Sequence, residues 1–318
     1  MSFPTARSWQ GYFFLFLTIL GGSTFSVFAR QLSTIFSPLS MLFIGEISIV
    51  LFVLLFYGFF PMFRQFLSLK VWETFLLLFF SALIIAGLGL WYMGLQTTEA
   101  VNAELIGKTE TLFTILFAVT ILNERFRRRH LLSGLLMLSG VLIVVLRDIN
   151  GGFNLHSGDA FIVLGGFCFS IASIVFKKSF LHLPPEFILL FRSSVAIILF
   201  FITSPFLQHP FITELQRMPL TLIPVLLSFA FLSRFLSVLG FYQAVERLPL
   251  TVIYLTLPLS TVLALLFAHV YLGEALHISH GIGAMLIISS VLLLNVHGPH
   301  ASPEHAIRHM KQHPRHHF

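Results

Sequence analysis

The last part of each half of this chain is one passage written twice. Tyr92 to Val144 lies over Tyr242 to Leu294 without a gap, at an offset of 150 residues. Leu116-Phe117-Ala118 meets Leu266-Phe267-Ala268, and Leu122-Asn123-Glu124 meets Leu272-Gly273-Glu274. Ser139-x-Val141-Leu142 meets Ser289-x-Val291-Leu292. Each copy is an apolar run, an acid, and another apolar run. Duplication inside a hydrophobic chain constrains the fold to one assembled from repeated halves.

The composition says which solvent those halves face. Of 318 residues, 57% are hydrophobic and 10% charged, where an average soluble chain carries about 25% charged residues. The mean hydropathy is +0.92. The 38 phenylalanines are read as lipid contact and helix packing. Cys168 is the one cysteine, so no intramolecular disulfide and no cysteine metal cluster can form.

A helix needs about 20 apolar residues to cross a bilayer. Ten runs qualify, at roughly 11–29, 39–59, 71–95, 100–122, 131–147, 158–176, 186–205, 219–241, 249–272 and 277–296. The first has Arg30-Gln31-Leu32 where a signal peptide would have a small-residue cleavage site, so it is read as a retained helix. With the N-terminus inside, thirteen Lys and Arg fall in cytoplasmic segments and three (Arg30, Arg147 and Arg217) on the other side. That excess sets the orientation and brings both termini to the cytoplasm. The basic net charge of +6 is therefore a matter of topology, and no nucleic-acid partner is expected. The expected fold is all-α integral membrane, with ten transmembrane helices as two inverted five-helix repeats, residues 1–150 and 151–296. Five spans per half is odd, so the second half enters from the opposite side. The leading helices echo each other at an offset of 147, with Ser23 over Ser170, Ser26 over Ser173 and Arg30 over Lys177. Residues 297–318 hold seven of the fourteen histidines and form a polar tail expected to be disordered and cytoplasmic.

Several residues carry a family likeness. In the first half they are Gly94-Leu95-x-Thr97-Thr98-x-Ala100-x-x-Ala103-x-Leu105-Ile106, Leu122-Asn123-Glu124-Arg125, Gly134 and Gly140-Val141. In the second they are Ala244-Val245-x-x-Leu248-Pro249, Pro258-Leu259, Leu272-Gly273-Glu274, Gly281 and Val291. With the topology and the duplication, they resemble the EamA-type transporters of the drug/metabolite transporter superfamily over nearly the whole chain except the tail. The resemblance implies a metabolite transporter in a cell (inner) membrane rather than an enzyme, with no cofactor. Three places depart from the family pattern. Glu104 stands where a small or apolar residue is usual, and Lys108 where a proline is usual, as at Pro258. The basic residue common early in the second helix of a half is present as Arg192, but its counterpart is Gly45, followed by Glu46.

Six ionisable residues fall well inside the spans: Glu46, Glu104, Lys108, Glu110, Arg192 and Arg234. Each costs about 2.5–3.5 kcal/mol at a helix centre. Six facing lipid would cost on the order of 15–20 kcal/mol, more than a folding margin. They must face one another or a wet cavity, as a structural ion network, a central substrate site, or both. Glu104 and Lys108, four apart, share a helix face and can pair. On an unbroken helix Glu110 lies about 160° from Lys108 and needs another partner. The expected cavity lies between the halves, lined by the third, fourth, eighth and ninth helices with the second and seventh contributing. Lys108, Glu104, Trp91, Tyr92, Arg234, Tyr242 and Tyr254 are the candidates to touch substrate. A site offering carboxylates and cations together suits an amino acid or a related zwitterion or anion, and export is the expected direction. If protons are the coupling ion, Glu104 is the first candidate to carry them and Glu46 the second; Glu110 and Arg192 complete the charge network.

Glu124 and Glu274 sit at matching helix ends, where a carboxylate would cap or salt-bridge a neighbouring helix. Gly107-Lys108-Thr109 mimics the end of a phosphate-binding loop, but the first glycine it needs is Asn102 and the context is a membrane helix. His305, His309 and His313 recur every four residues and could bind metal if helical, but no metal site is assigned. The alternatives to metabolite transport are a flippase for an amphipathic or lipid-linked substrate, which a lateral opening rich in phenylalanine would favour, and a non-transporting scaffold or metal sensor using the tail.

Overall fold

The computed structural model describes residues 6–121, 128–145, 157–180, 182–206, 210–247 and 257–295. Tyr254, Glu124 and the histidine tail lie outside these residues. No strand occurs among the described residues. The helices are α1 (Ala6–Leu32), α2 (Pro38–Tyr57), α3 (Phe59–Leu67), α4 (Val71–Leu95), α5 (Ala100–Ile106), α6 (Thr109–Ile121) and α7 (Arg128–Val145). Then come α8 (Ser157–Ser179), α9 (Pro185–Phe206) and α10 (Phe211–Arg217). A rod follows: a 3-10 turn at Leu220–Leu222, α11 (Ile223–Ser228), a π segment (Phe229–Leu236) and α12 (Ser237–Arg247). Last come α13 (Pro258–Phe267), continued by a π segment (Ala268–Leu272), and α14 (Ile278–Asn295).

Six of these rods are long and apolar enough to cross a membrane: Trp9–Leu32, Pro38–Tyr57, Val71–Leu95, Ser157–Phe176, Pro185–Phe206 and Leu220–Ala244. The rest are shorter. Two features differ from the sequence reading. The apolar run at 100–122 is not one rod but α5 and α6, parted by a turn at Gly107-Lys108. The connection after 59 is not simple loop, because α3 occupies it and exposes Phe59, Phe60, Phe63 and Phe66.

The outer surface explains why the fold needs lipid. Phe13 and Phe16 of α1, Phe75, Leu78 and Phe79 of α4, and Ile198, Phe201 and Ile202 of α9 are all exposed. An apolar surface on that scale does not persist in water. Proline opens α2 and α9 at their first position, where its missing N–H is no loss. A carboxylate closes the open N–H groups at two helix starts. Glu73 accepts the Lys70 N–H at 3.0 Å ahead of α4, and Glu214 of α10 accepts the Ser37 N–H at 3.3 Å ahead of α2 and the Ser40 hydroxyl at 2.5 Å within its first turn.

The interior is built by pairing early helices with late ones. α4 runs along α8, α1 along α12, α2 against α9, and α7 against α14. One core cluster joins Val27, Leu88, Trp91 and Ala103 to Ile162, Phe229 and Ala284. A second joins Ile49 and Phe80 to Phe187, Ile188 and Phe235. The two parts of the chain therefore share their core, and Glu46, Arg192 and Arg234 lie where they meet.

Candidate functional site

The break between α5 and α6 carries the first group of charges. Gly107 lies under the ring of Trp91, where a Cβ would come within 2.2 Å of the indole. Only a glycine lets the aromatic ring lie that close to the backbone. Lys108, next in sequence, has 28% of its side chain exposed and places its Nζ 3.8 Å from Glu104 Oε2. The other oxygen of Glu104 accepts the Ser26 hydroxyl of α1 at 2.6 Å. The turn at 107–108 removes the 160° angle that an unbroken helix would set, and Lys108 lies within electrostatic reach of Glu110.

The second group is centred on Glu46 of α2, which is 1% exposed. One carboxylate oxygen accepts Arg234 Nη2 from the π segment, and the other accepts the Ser193 hydroxyl of α9. Arg192, 4% exposed, lies within electrostatic reach of Glu46, Tyr92 and Tyr242. Gly45 makes room for this arrangement: a Cβ there would stand 2.7 Å from Arg234 Nε and 3.3 Å from the Tyr92 hydroxyl. Glu46 and its hydrogen-bond donor Ser193 are 147 residues apart, the same offset that relates the leading helices of the two halves. So Gly45-Glu46 faces Arg192-Ser193 at corresponding positions.

Phe25 of α1 joins the two groups. Its ring lies 6.2 Å from Trp91, 6.0 Å from Tyr92 and 6.0 Å from Phe229. The Arg234 guanidinium sits over it at 5.7 Å, a cation–π distance. Its neighbours complete the contact, Thr24 with Ser233 at 2.7 Å and Ser26 with Glu104. The π segment widens the helix by about one residue per turn, a distortion frequent at functional sites, and here it carries Ser233 and Arg234.

A third arrangement holds α5 in place. The Glu274 carboxylate accepts the Ala100 and Val101 N–H groups, each at 3.0 Å. A residue near the end of the chain thus supplies the missing partners of a helix start in its first third. In the same turn, Asn102 Oδ1 lies 3.1 Å from Nε2 of His280, a residue of α14 that is 1% exposed. The His277 N–H donates to His280 Nδ1 at 3.2 Å, so the ring is held from both nitrogens, by the start of its own helix and by α5.

Among the sequence candidates, the structure brings Tyr92, Arg234, Glu46 and Arg192 together, and separately Lys108, Glu104 and Trp91. Tyr242 is buried against Phe176, with ring centroids 4.8 Å apart. Sequence reasoning missed Phe25, Ser193, Ser233, Asn102 and His280 as partners. Ser26 stood out only as a repeat position. A crevice of about 230 Å³ between α2, α4 and α9 is bounded by Pro38, Leu42, Ile85, Met93, Leu199 and Phe200. Phe200 is its one phenylalanine, so it is not the phenylalanine-rich opening that would favour a flippase.

The comparisons agree with this architecture. The profile of the EamA-like transporter family matches twice, over residues 9–146 and 156–296. An uncharacterized transporter of Methanothermobacter thermautotrophicus is 28% identical over 239 residues, covering 71% of this chain and 66% of that relative's length. The uncharacterized transporter YyaM of Bacillus subtilis is 24% identical over 209 residues, covering 64% of this chain and 67% of the relative. One crystal structure superposes with a TM-score of 0.61 at 16% identity, over 92% of this chain and 96% of its own, a likeness of fold. With its apolar helices, the doubled profile match makes the chain a multi-pass membrane protein that belongs to the EamA-like transporter family.

Proposed function

We propose that the protein is a secondary transporter that exports a small zwitterionic or anionic metabolite, such as an amino acid, by alternating access between two inverted five-helix halves, residues 1–150 and 151–296. The observation that carries this reading is the buried meeting of Glu46 with Arg192, Ser193 and Arg234, charges from both halves joined inside the membrane. Ionisable groups at that depth mark substrate and ion pathways. The reciprocal packing supports inverted halves: α4 on α8 mirrors α12 on α1, and α2 on α9 and α7 on α14 mirror themselves. The broken helix α5–α6 adds to it, because discontinuous helices form the midplane sites of many transporters built from such repeats.

In this reading the ten spans include α5 with α6 as one and α11 with α12 as one, both termini are cytoplasmic, and the host is a cell inner membrane. Lys108, Glu104, Trp91, Tyr92, Arg234, Tyr242 and Tyr254 contact cargo. Glu104 is the first residue to test for proton coupling and Glu46 the second; Glu110 and Arg192 balance the field. Glu124 and Glu274 are helix-end acids with a structural role. The test is export of radiolabelled amino acids and short carboxylates from cells producing wild-type protein, Lys108→Ala or Arg234→Ala at matched membrane abundance. The reading requires loss of export in both variants, and full activity in both would remove the site assignment. A Glu104→Gln protein that still concentrates cargo against its gradient would remove the proton-coupling role.

A further inference from the structure

The charges around Glu46 do not balance. Two guanidinium groups, Arg192 and Arg234, share one carboxylate, which leaves one positive charge buried in the membrane. The donors do not balance either. Glu46 takes one donor from Arg234 and one from Ser193. Arg192 Nε and Nη2, Arg234 Nε and the Tyr92 hydroxyl are buried without a hydrogen-bond partner among the described residues. Four orphaned donors in one neighbourhood is unusual, because each buried unpaired donor costs about 1–3 kcal/mol. Two of them meet at a defined point, the backbone of Gly45, where a Cβ would stand 2.7 Å from Arg234 Nε and 3.3 Å from the Tyr92 oxygen.

A surplus of one positive charge, with unpartnered guanidinium N–H groups and a Tyr92 hydroxyl that can also donate, calls for a single negative charge that accepts hydrogen bonds. We infer that Tyr92, Arg192 and Arg234 form a binding site for a small monovalent anion, a carboxylate group or a halide, beside Glu46. A carboxylate matches the planar fork of a guanidinium, and a chloride satisfies the same charge without the fork. The enclosure of Tyr92, Arg192 and Arg234, all at most 4% exposed, limits the guest to an ion or the carboxylate end of a molecule. The claim that this anion is cargo rests on the transport reading; the claim that the site binds an anion does not. It gives Arg192 a direct role in binding, beyond balancing the charge network.

The test is thermal unfolding of the purified full chain in detergent, in chloride-free HEPES, with chloride or acetate added at constant ionic strength. A ligand held only by the folded state raises the melting temperature. Wild-type protein should show a saturable rise on the order of 5 °C with acetate, chloride or both. Arg192→Met should lose that rise yet melt no lower than wild type before chloride or acetate is added, because the surplus charge is gone. Tyr92→Phe should raise the half-saturating concentration about tenfold, the equivalent of one hydrogen bond of about 1.4 kcal/mol. A response to both ions that compete places them in one site, and a response to chloride alone makes the guest a resident halide. No anion-specific rise in wild type, or a rise that survives in Arg192→Met, overturns the proposal. Transport failing while the shift persists removes the cargo claim alone; transport persisting without any shift removes the anion site alone.

Discussion

Replacing Glu46 by glutamine should be among the most damaging single-atom changes available in this chain. The carboxylate is the one acid among two buried guanidinium groups and accepts donors from α9 and from the π segment. Glutamine keeps the volume and one acceptor but leaves both cations unneutralised. Removing one partner of a buried ion pair costs about 3–5 kcal/mol, and here two cations lose the same partner. Ser193→Ala measures the hydrogen bond alone and should cost about 1.5–3 kcal/mol. Arg192→Met in the Glu46→Gln background should recover part of the loss, because it removes one of the stranded cations, with a coupling of about 0.5–3 kcal/mol. The assay is thermal or SDS unfolding of detergent-purified protein, followed by the fluorescence of Trp91 and the other two tryptophans. If Glu46→Gln unfolded within about 0.5 kcal/mol of wild type, the carboxylate would not be neutralising these cations, and the account of the cluster would be wrong.

Other predictions separate fold from function at single residues. Gly45→Ala places a methyl 2.7 Å from Arg234 Nε and should cost about 1–3 kcal/mol by overpacking; a Gly45→Ala/Arg234→Met protein that loses the full sum of the single effects would show that the two sites do not touch. Glu274→Ala strips the caps from Ala100 and Val101 and should cost about 2 kcal/mol. Hydrogen exchange should then speed up first in α5, whereas unchanged protection there would mean the caps carry no stability. Lys108→Ala removes a pair whose lysine is 28% exposed, so the stability change should stay within about 1 kcal/mol while export is lost. A large drop in melting temperature would make Lys108 a structural residue.

The apolar runs, the doubled passage and the family were legible because each depends on sums over many residues. The rotation of each helix was not. In a soluble helix an apolar stripe marks the buried face, but here lipid-facing residues such as Phe75, Leu78 and Phe79 are as apolar as the core residues Leu77 and Phe80. Nothing in α2 therefore announced that Glu46 meets Ser193 and Arg234. The offset of 147, already visible in the leading helices, holds for that meeting too, since it sets Gly45-Glu46 over Arg192-Ser193. The break at Gly107-Lys108 was hidden because a helical reading of 100–122 meets no proline; the Trp91 ring that lies against Gly107 comes from sixteen residues upstream. The cap by Glu274 joins residues 174 apart, a separation that helix-end patterns do not reach.

Counterflow in proteoliposomes tests the central claim most directly. Vesicles holding purified protein are loaded with an unlabelled amino acid or short carboxylate, and entry of trace label is followed without any imposed ion gradient. Alternating access with a charged site at the meeting of the halves predicts transient, saturable accumulation of at least one such solute, abolished in Lys108→Ala and in Arg234→Ala. Accumulation that persists in both variants, or none with any zwitterion or anion in wild-type vesicles, would contradict it.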